Sequence, residues 1–196
     1  MSSNLEKYTS ANPLQQYLIN RFLLGLSDIY KGTDSNSLLE VGTGEGHVLD
    51  FFSEKNILPE KTVGVDISTE AILYAKKRAL PVVFREASAL TLPFEDSSFD
   101  TVMCLEVLEH IVDFERALTE IIRVSKKYVL LSVPWEPWFS YANALRGKNV
   151  KKFGRDPEHV NVWSKKSFHS LVHREGFKIK KHLIVFPWQV AMLERH

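Results

Sequence analysis

The chain has 196 residues, of which 44% are hydrophobic and 25% are charged, and 25 Lys and Arg against 24 Asp and Glu leave a formal charge of +1. This length suits one well-filled core and is too short for two full domains, and the composition excludes disordered, collagen-like and disulfide-scaffold proteins. A net charge near zero argues against a chain built wholly to bind nucleic acid. We expect a single domain over residues 1–196.

The N-terminal sequence lacks the short apolar stretch and small-residue cleavage site of a signal peptide, and the chain has no run of about 18 apolar residues. Its one cysteine, Cys104, falls inside an apolar run, which favours a buried and unreactive thiol. We expect a cytoplasmic protein with no transmembrane segment.

An amphipathic helix is predicted over residues 14–30, where apolar side chains recur at spacings of three and four and Asn12 and Pro13 stand as cap and first-turn residue. We treat residues 1–33 as an N-terminal helical extension. Strands are then predicted at Ser37–Val41, Thr62–Asp66, Pro81–Arg85, Phe99–Leu105, Lys127–Val133, Phe177–Phe186 and Gln189–Arg195. Helices are predicted at His47–Ser53, Ser68–Arg78, Asp113–Ser125 and Ser164–Glu175.

Most of these strands are nearly continuous apolar runs that alternate with helices, which is typical of a parallel sheet covered on both faces. We predict a doubly wound, Rossmann-like α/β fold with a mostly parallel seven-stranded sheet and an antiparallel last strand. In residues 134–155 aromatic and basic side chains interleave, and regular structure is only weakly indicated.

Three glycines, Gly42, Gly44 and Gly46, directly follow the first predicted strand. Glycines there let the backbone turn sharply and let a ligand approach the main chain. A dinucleotide fingerprint would need a glycine where this chain has His47, and the acidic Glu40 suits an ammonium group better than a pyrophosphate. A tight strand–helix turn without a ligand stays open as the simpler interpretation.

The second predicted strand ends in Asp66, the position at which nucleotide-binding sheets hold a ribose diol. The simpler role for this residue is to cap the helix that begins near Ser68. Together with the glycine turn, however, Asp66 indicates an adenosine-containing ligand that carries an amine and lacks phosphates.

With these features, the sequence resembles the class I S-adenosylmethionine-dependent methyltransferases, in particular the broad group that includes ubiquinone- and menaquinone-pathway enzymes. The resemblance covers residues 35–135 and rests on the segments Glu40–Gly46, Val63–Ser68, Leu92–Asp100 and Val107–His110. It implies S-adenosylmethionine as the cofactor and S-adenosylhomocysteine as the product. The cofactor-binding residues that it implies are Glu40, Gly42, Thr43, Gly44, Gly46, Asp66, Ile67, Ser88, Ala89 and Leu105.

The resemblance implies that Glu40 contacts the cofactor amine, that Asp66 binds the ribose hydroxyls and that Ile67 packs on the adenine. Where the family usually has an acidic residue for the adenine amine, this chain has Ser88. A hydroxyl accepts that hydrogen bond more weakly than a carboxylate does, so we expect modest cofactor affinity.

Methyl transfer from a sulfonium is an in-line displacement, so much of its rate comes from alignment in a shielded site. An acceptor hydroxyl also has to lose its proton to a residue that titrates near neutrality. Glu106, Glu109 and His110 follow the fourth strand, and we take His110 as the candidate general base with Glu106 beside it. The alternative is that Glu109 and His110 only fix the loop or cap the next helix.

Glu106, Glu109 and His110 also offer three metal ligands within one turn, to which His159 could add a fourth. Similar sets bind a divalent ion in the small-RNA 3′-end 2′-O-methyltransferases. We assign no metal at this stage and leave a divalent ion open.

The leading hypothesis is therefore a methyltransferase that acts at oxygen on a small-molecule or lipid-like acceptor. The alternatives are a metal-assisted RNA 2′-O-methyltransferase and a non-catalytic module that binds S-adenosylmethionine. The acceptor site is expected in an insertion at residues 134–160, and the oligomeric state stays open.

The charge of +1 is a cancellation between two halves of the chain. Residues 1–125 carry 11 Lys and Arg against 19 Asp and Glu, a net of −8, whereas residues 126–196 carry 14 against 5, a net of +9. An anionic acceptor, whether a phosphate compound, a lipid head group or RNA, would suit the basic half, and so nucleic acid is not excluded. The simpler explanation is that the two halves attract each other.

Overall fold

The computed structural model describes residues 12–145, 147, 149–174 and 176–196. The strands are β1 (Ser37–Val41), β2 (Lys61–Asp66), β3 (Val83–Glu86), β4 (Phe99–Leu105), β5 (Ser125–Pro134), β6 (Phe177–Val185) and β7 (Trp188–Arg195). The helices are α1 (Pro13–Tyr30), α2 (His47–Glu54), α3 (Thr69–Lys76), α4 (Phe114–Val124), α5 (Trp138–Leu145) and α6 (Lys165–Val172). Short 3₁₀ turns lie at Leu108–His110 and Val150–Lys152.

The seven strands form one sheet in the order β3-β2-β1-β4-β5-β7-β6. Strands β1 to β5 are parallel, and β7 runs antiparallel between β5 and β6. The predicted doubly wound α/β fold with an antiparallel last strand is confirmed. The chain changes direction across the sheet between β1 and β4, and such a switch point opens a crevice at the carboxyl ends of the strands.

Side-chain caps fix the starts of several helices. The Asn12 carboxamide oxygen accepts from the Leu14 N–H (3.0 Å) at the start of α1, and the Ser68 hydroxyl accepts from the Ala71 N–H (3.2 Å) at the start of α3. Such caps satisfy backbone donors that have no partner within the helix. The Ser68 cap starts α3 directly after the end of β2. Asp66, the last residue of β2, lies at the crevice.

The sheet separates two hydrophobic clusters. Leu118, Ile121 and Phe168 of α4 and α6 pack in one cluster, and Phe22 of α1 and Phe52 of α2 pack in the other. Both faces of the sheet are therefore covered, as the apolar strands predict. Cys104 is buried, and burial raises the pKa of its thiol, in line with the predicted unreactive cysteine.

The predictions differ from the structure mainly around residues 134–155. A helix, α5, forms at Trp138–Leu145, where only weak regular structure is predicted, because its aromatic side chains do not mark out one apolar stripe. Helix α6 ends at Val172, and His173 is extended. The predicted continuation of this helix is therefore wrong for residues 173 and 174. The predicted end, Glu175, lies outside the described residues. Within the described part of the chain, every helix is too short or too polar to cross a membrane.

Candidate active site

A cleft of about 680 Å³ opens at the carboxyl ends of the parallel strands. Its walls come from the loops after β1, β2, β3 and β4, from α1 and α5, and from the turn before β7. Among the predicted site residues, those that line it are Gly42, Asp66, Ile67, Ser88, Ala89, Glu106 and His110, together with the candidate metal ligands Glu109 and His159. This volume falls within the range of small-molecule and cofactor sites, about 300–1,000 Å³.

The glycine turn closes one side of this cleft. Gly42, Gly44 and Gly46 all have positive φ values, of 77°, 52° and 78°, a backbone conformation that favours glycine. A Cβ at Gly42 would lie 2.2 Å from Cγ2 of Val107, so no side chain fits between the turn and the loop after β4. Gly42 lines the cleft, whereas Gly46 caps α2 behind it.

Asp66 ends β2, and its carboxylate accepts hydrogen bonds from the loops that follow β1 and β2. Its Oδ2 accepts from the Gly44 N–H (2.8 Å) and its Oδ1 from the Ser68 N–H (2.9 Å). A carboxylate has about four acceptor positions, so two remain for the hydroxyls of a ligand. Asp66 therefore orders the glycine turn and keeps the capacity to hold a diol.

Glu40 lies beneath the glycine turn and is buried, and neither it nor Thr43 lines the cleft. The Thr43 hydroxyl donates to Glu40 Oε2 (2.6 Å). The pKa of Glu40 is raised to about 8, chiefly by burial, while the Thr43 hydrogen bond lowers it and the nearby Asp66 raises it. Near neutral pH this carboxyl is mostly protonated, and a cation brought next to it would favour its ionised form.

Gly64 of β2 explains how Thr43 fits here. Glu40 and Gly64 are paired in the sheet, and a Cβ at Gly64 would lie 2.9 Å from Thr43 Oγ1. Sequence analysis did not assign a role to Gly64, although a glycine inside a strand often marks the close approach of other atoms. Here it leaves the space that the Thr43 side chain occupies.

Another wall of the cleft is formed by the loop after β3. Ser88 Oγ accepts from the Leu90 N–H (3.2 Å), so the hydroxyl stabilises its own loop beside the cleft. Ile67 faces it as an apolar side chain that is 74% exposed. Leu105, at the end of β4, instead packs in the core and does not line the cleft.

Glu106 follows β4 with a positive φ of 58°, an unusual conformation for a residue other than glycine. Its Oε1 accepts from the Ser132 hydroxyl (2.9 Å), and its N–H donates to the Ser132 carbonyl (3.1 Å). Backbone conformations of this kind cluster at functional sites, because the surroundings hold them in place. The side chain is thus fixed on the cleft wall.

His110 and His159 meet at the other end of the cleft. Their ring centroids are 5.0 Å apart, and the two rings are close to perpendicular. His110 Nδ1 lies 3.1 Å from the Glu158 carbonyl oxygen, and the His159 ring also contacts that of Phe139, with centroids 5.4 Å apart. Ligand atoms of Glu109, His110 and His159 all lie within 4.8 Å of one another, and Glu106 is not part of this group.

Hydrogen bonds hold the loop that carries Glu109 and His110 against the segment that carries His159, about fifty residues later in the sequence. The Glu109 carbonyl accepts from the N–H groups of Val160 (2.8 Å) and Asn161 (3.1 Å). The Asn161 carboxamide donates to the carbonyls of Leu108 (3.0 Å) and Ile111 (2.7 Å). The segment that carries His159 is thereby fixed on the loop that carries His110.

Several residues of the cleft were not predicted. Gln15, Leu18 and Ile19 of α1 form one wall, and Phe139 and Asn143 of α5 form another. Nothing local in the sequence indicates that α1, predicted only as an extension, lies over the carboxyl ends of the strands. The spacing of Phe139 and Asn143, four residues apart, would place them on one side of a helix, but the helix itself was not predicted.

Comparison with known proteins finds similarity to methyltransferases. Residues 39–132 match the family model described as a methyltransferase domain. The chain is 30% identical to the uncharacterised methyltransferase YcgJ of Bacillus subtilis over 63% of this chain and 49% of that protein. It is 27% identical to the demethylmenaquinone methyltransferase of Thermus thermophilus over 76% of this chain and 77% of that protein.

Among solved structures, magnesium protoporphyrin IX methyltransferase from Synechocystis with bound S-adenosylhomocysteine superposes with a TM-score of 0.72. It is 14% identical and covers 100% of this chain and 95% of its own, so this likeness concerns the fold. The chain spans about half the length of several of the relatives that it matches. From the matched family model and the sequence motifs, residues 39–132 form a class I S-adenosylmethionine-dependent methyltransferase domain.

Proposed function

We propose that this chain is an enzyme that transfers the methyl group of S-adenosylmethionine to an oxygen of a small or lipid-like acceptor. One observation carries the proposal: a single cleft joins Asp66, Ile67 and Ser88 at one end to Glu106 and His110 at the other. The cofactor, when bound, supplies an electrophilic methyl group. The chain supplies the alignment and a group that can take up a proton.

The residues at the first end fit an adenosine ligand that carries an amine. Asp66 has acceptor positions left for a ribose diol, and the exposed Ile67 offers an apolar surface to a purine ring. Beneath the turn, Glu40 would become ionised next to an ammonium group. The absence of a Cβ at Gly42 lets the turn lie directly against Val107.

His110 is suited to take up the acceptor proton. The Glu158 carbonyl can only accept a hydrogen bond, so the contact at 3.1 Å requires the proton on Nδ1 of His110. In the neutral ring this leaves the lone pair on Nε2, which is where a general base accepts a proton. Glu106, held by Ser132, would contribute a fixed negative or hydrogen-bonding group on the same wall.

Apolar side chains support an acceptor with a substantial apolar part. Ile111, Phe139 and Trp188 line the same cleft as His110. The name of the demethylmenaquinone methyltransferase relative supports a lipid-like acceptor as well. We assign residues 134–160 to acceptor binding, since α5 and His159 belong to this segment.

A labelling experiment identifies the acceptor class. The protein is incubated with methyl-labelled S-adenosylmethionine and a cell extract, and the label is then measured in the organic, aqueous and RNA fractions. We expect label in the organic fraction, as a methyl ether. Label confined to RNA or to protein, or found only on nitrogen or carbon, would contradict the proposed acceptor.

His110→Gln should lower turnover by about 100-fold or more, while the affinity for S-adenosylhomocysteine stays nearly unchanged. His169→Gln is the matched control, because His169 is exposed on α6 and does not line the cleft. Equal losses of turnover and of cofactor affinity in His110→Gln would give His110 a structural role instead.

The second candidate is metal-assisted methylation of a hydroxyl, such as a ribose 2′-hydroxyl of RNA. The cluster of Glu109, His110 and His159 favours it, since a carboxylate and two imidazoles can hold a divalent ion. In this candidate His110 is a ligand and does not act as the base. An ion held there would bind the acceptor oxygen.

Titration calorimetry with magnesium, manganese and zinc tests this candidate. Binding should disappear in Glu109→Gln and in His159→Ala and persist in His169→Ala. If no metal binds, or if binding survives both cluster variants, the metal-assisted candidate is excluded. Label in RNA that declines steeply with added salt would favour RNA as its acceptor.

A further inference from the structure

Helix α5 has one face toward the cleft and one toward solvent. Phe139 and Asn143, four residues apart, line the cleft. Trp138, Tyr141 and Leu145 lie on the solvent side, and Leu145 is 89% exposed. Soluble proteins rarely expose a contiguous apolar surface to water, and such surfaces commonly mark interaction sites.

The aromatic side chains of this face form a continuous group. The ring of Trp138 lies with its centroid 5.9 Å from that of Trp135 and 5.9 Å from that of Tyr141. Trp and Tyr combine an apolar ring with a polar tip, and they are enriched where protein meets the interface of a bilayer.

A basic turn is attached to the same helix. The Asn143 carboxamide donates to the Gly154 carbonyl (3.1 Å), and a Cβ at Gly154 would lie only 1.9 Å from the Ser140 carbonyl oxygen. This close contact holds residues 150–154 against α5. Lys151 and Lys152 are exposed there, and the neighbouring Phe153 is 88% exposed.

The charges of this region have one sign. Residues 137–155 include five Lys and Arg and neither Asp nor Glu. The acids that flank this stretch are engaged elsewhere: the Glu136 carboxylate accepts from the Ser140 hydroxyl (2.8 Å), and Asp156 and Glu158 line the cleft. The outward charge next to α5 is therefore positive.

Exposed aliphatic side chains also occur next to cleft residues outside α5. Val112 is 83% exposed and follows Ile111, which lines the cleft. Val160 is also exposed and is hydrogen-bonded through its N–H to the Glu109 carbonyl. Exposed apolar groups thus occur beside cleft residues of the loop after β4 and of the segment before α6, as well as on α5.

We propose that Trp138, Tyr141, Leu145, Lys151, Lys152 and Phe153, together called the α5 surface, dock the protein on an anionic phospholipid bilayer. Exposed apolar side chains enter the interface, and the lysines are attracted to its negative charge. A bilayer fits better than single-stranded RNA, because the aliphatic Leu145 and Val112 have no ring on which a base could stack. This inference deepens the proposed function, since it gives the acceptor end of the cleft access to a lipid acceptor.

Co-sedimentation with vesicles tests the α5 surface. The probes are vesicles of phosphatidylcholine alone and of phosphatidylcholine mixed with phosphatidylglycerol. We expect binding to the mixed vesicles that weakens with added salt. Two variants, Leu145→Gln with Phe153→Asn and Lys151→Ala with Lys152→Ala, should each lower the partition coefficient by roughly tenfold or more.

The matched control changes similar exposed residues on α3 and at its C-cap, as Leu73→Gln with Lys76→Ala and Lys77→Ala, and should bind vesicles like the unaltered protein. The inference would be overturned if the unaltered protein failed to bind mixed vesicles, or if both α5-surface variants bound them as strongly as the unaltered protein does. Binding of a single-stranded RNA oligonucleotide that these variants lose, without vesicle binding, would overturn it in favour of RNA.

The affinity of each variant for S-adenosylhomocysteine separates this inference from the proposed function. Loss of vesicle binding with unchanged cofactor affinity shows that the variant is folded and that the α5 surface acts in docking. Conversely, a protein that binds vesicles through the α5 surface but transfers no methyl group to any extract would contradict the proposed function alone.

Discussion

Glu40 is a buried carboxyl whose charge depends on what lies above it. Its pKa of about 8 results first from burial, with Asp66 adding to it and the Thr43 hydroxyl opposing it. At pH 7 most molecules therefore carry a neutral Glu40. An ammonium group brought near the glycine turn would lower this pKa, so binding and deprotonation should be coupled.

Binding of S-adenosylmethionine at pH 7 should release close to one proton, because Glu40 ionises as its pKa falls. Calorimetry in two buffers with different enthalpies of ionisation measures this number. Glu40→Gln should abolish the release and weaken binding by about tenfold or more. Proton release that persists in Glu40→Gln would show that another group titrates and that Glu40 serves only the fold.

At the level of single residues, sequence reasoning finds the groups that follow strand ends and misses those that depend on backbone geometry. Asp66, Glu106 and His110 were expected at the rim because they follow predicted strands, and all three line the cleft. The positive φ of Glu106 was not predictable, since glutamate is not a residue that favours this conformation. Leu105 is in the core because strand alternation points it away from the cleft.

At the level of elements, α5 and the basic turn behave as one unit because Gly154 touches the helix backbone. Gly154 and Gly147 both have positive φ values, of 78° and 73°. A Cβ at Gly154 would meet Ser140 and Ala144, whereas a Cβ at Gly147 would meet nothing within 4 Å. An alanine at either position would be strained by the positive φ, but only an alanine at Gly154 would also collide with other atoms.

Gly154→Ala should lower the free energy of unfolding by about 1–3 kcal/mol more than Gly147→Ala, because only the former collides with α5. Denaturant unfolding measures the difference, and amide exchange in α5 should quicken only in Gly154→Ala. Equal effects of the two substitutions would mean that the turn is not packed on the helix.

Helices and strands with a clear hydrophobic pattern could be predicted from the sequence. Those whose position depends on contacts with residues far away in the sequence could not. The strands of the parallel sheet follow from their apolar runs, and α3 follows from the cap Ser68. Helix α5 has no such signal, since aromatic residues occur on several of its sides. Its position depends on Gly154 and on the cleft, which lie outside any local window.

At the level of the whole molecule, part of the charge separation between the two halves is used internally. Among the described residues, ion pairs join Lys126 to Asp100 (3.3 Å), Lys127 to Asp34 (2.8 Å) and Arg174 to Glu115 (2.9 Å). These pairs support the simpler explanation that the acidic and basic halves attract each other. The basic stretch of residues 137–155 is the part that the docking proposal uses.

We expect the carboxyl ends of β1 and β2 to hold the cofactor through Asp66. Calorimetric binding of S-adenosylhomocysteine to the unaltered protein, to Asp66→Ala and to Asp28→Ala tests it most directly, because Asp28 is an exposed acid on α1. Asp66→Ala also removes the acceptor for Gly44 and Ser68 N–H groups, so its unfolding free energy should fall by about 1–3 kcal/mol.

We expect one molecule of S-adenosylhomocysteine per chain, an affinity at least about tenfold weaker in Asp66→Ala, and no change in Asp28→Ala. A folded Asp66→Ala protein that binds S-adenosylhomocysteine as tightly as the unaltered chain would contradict the account.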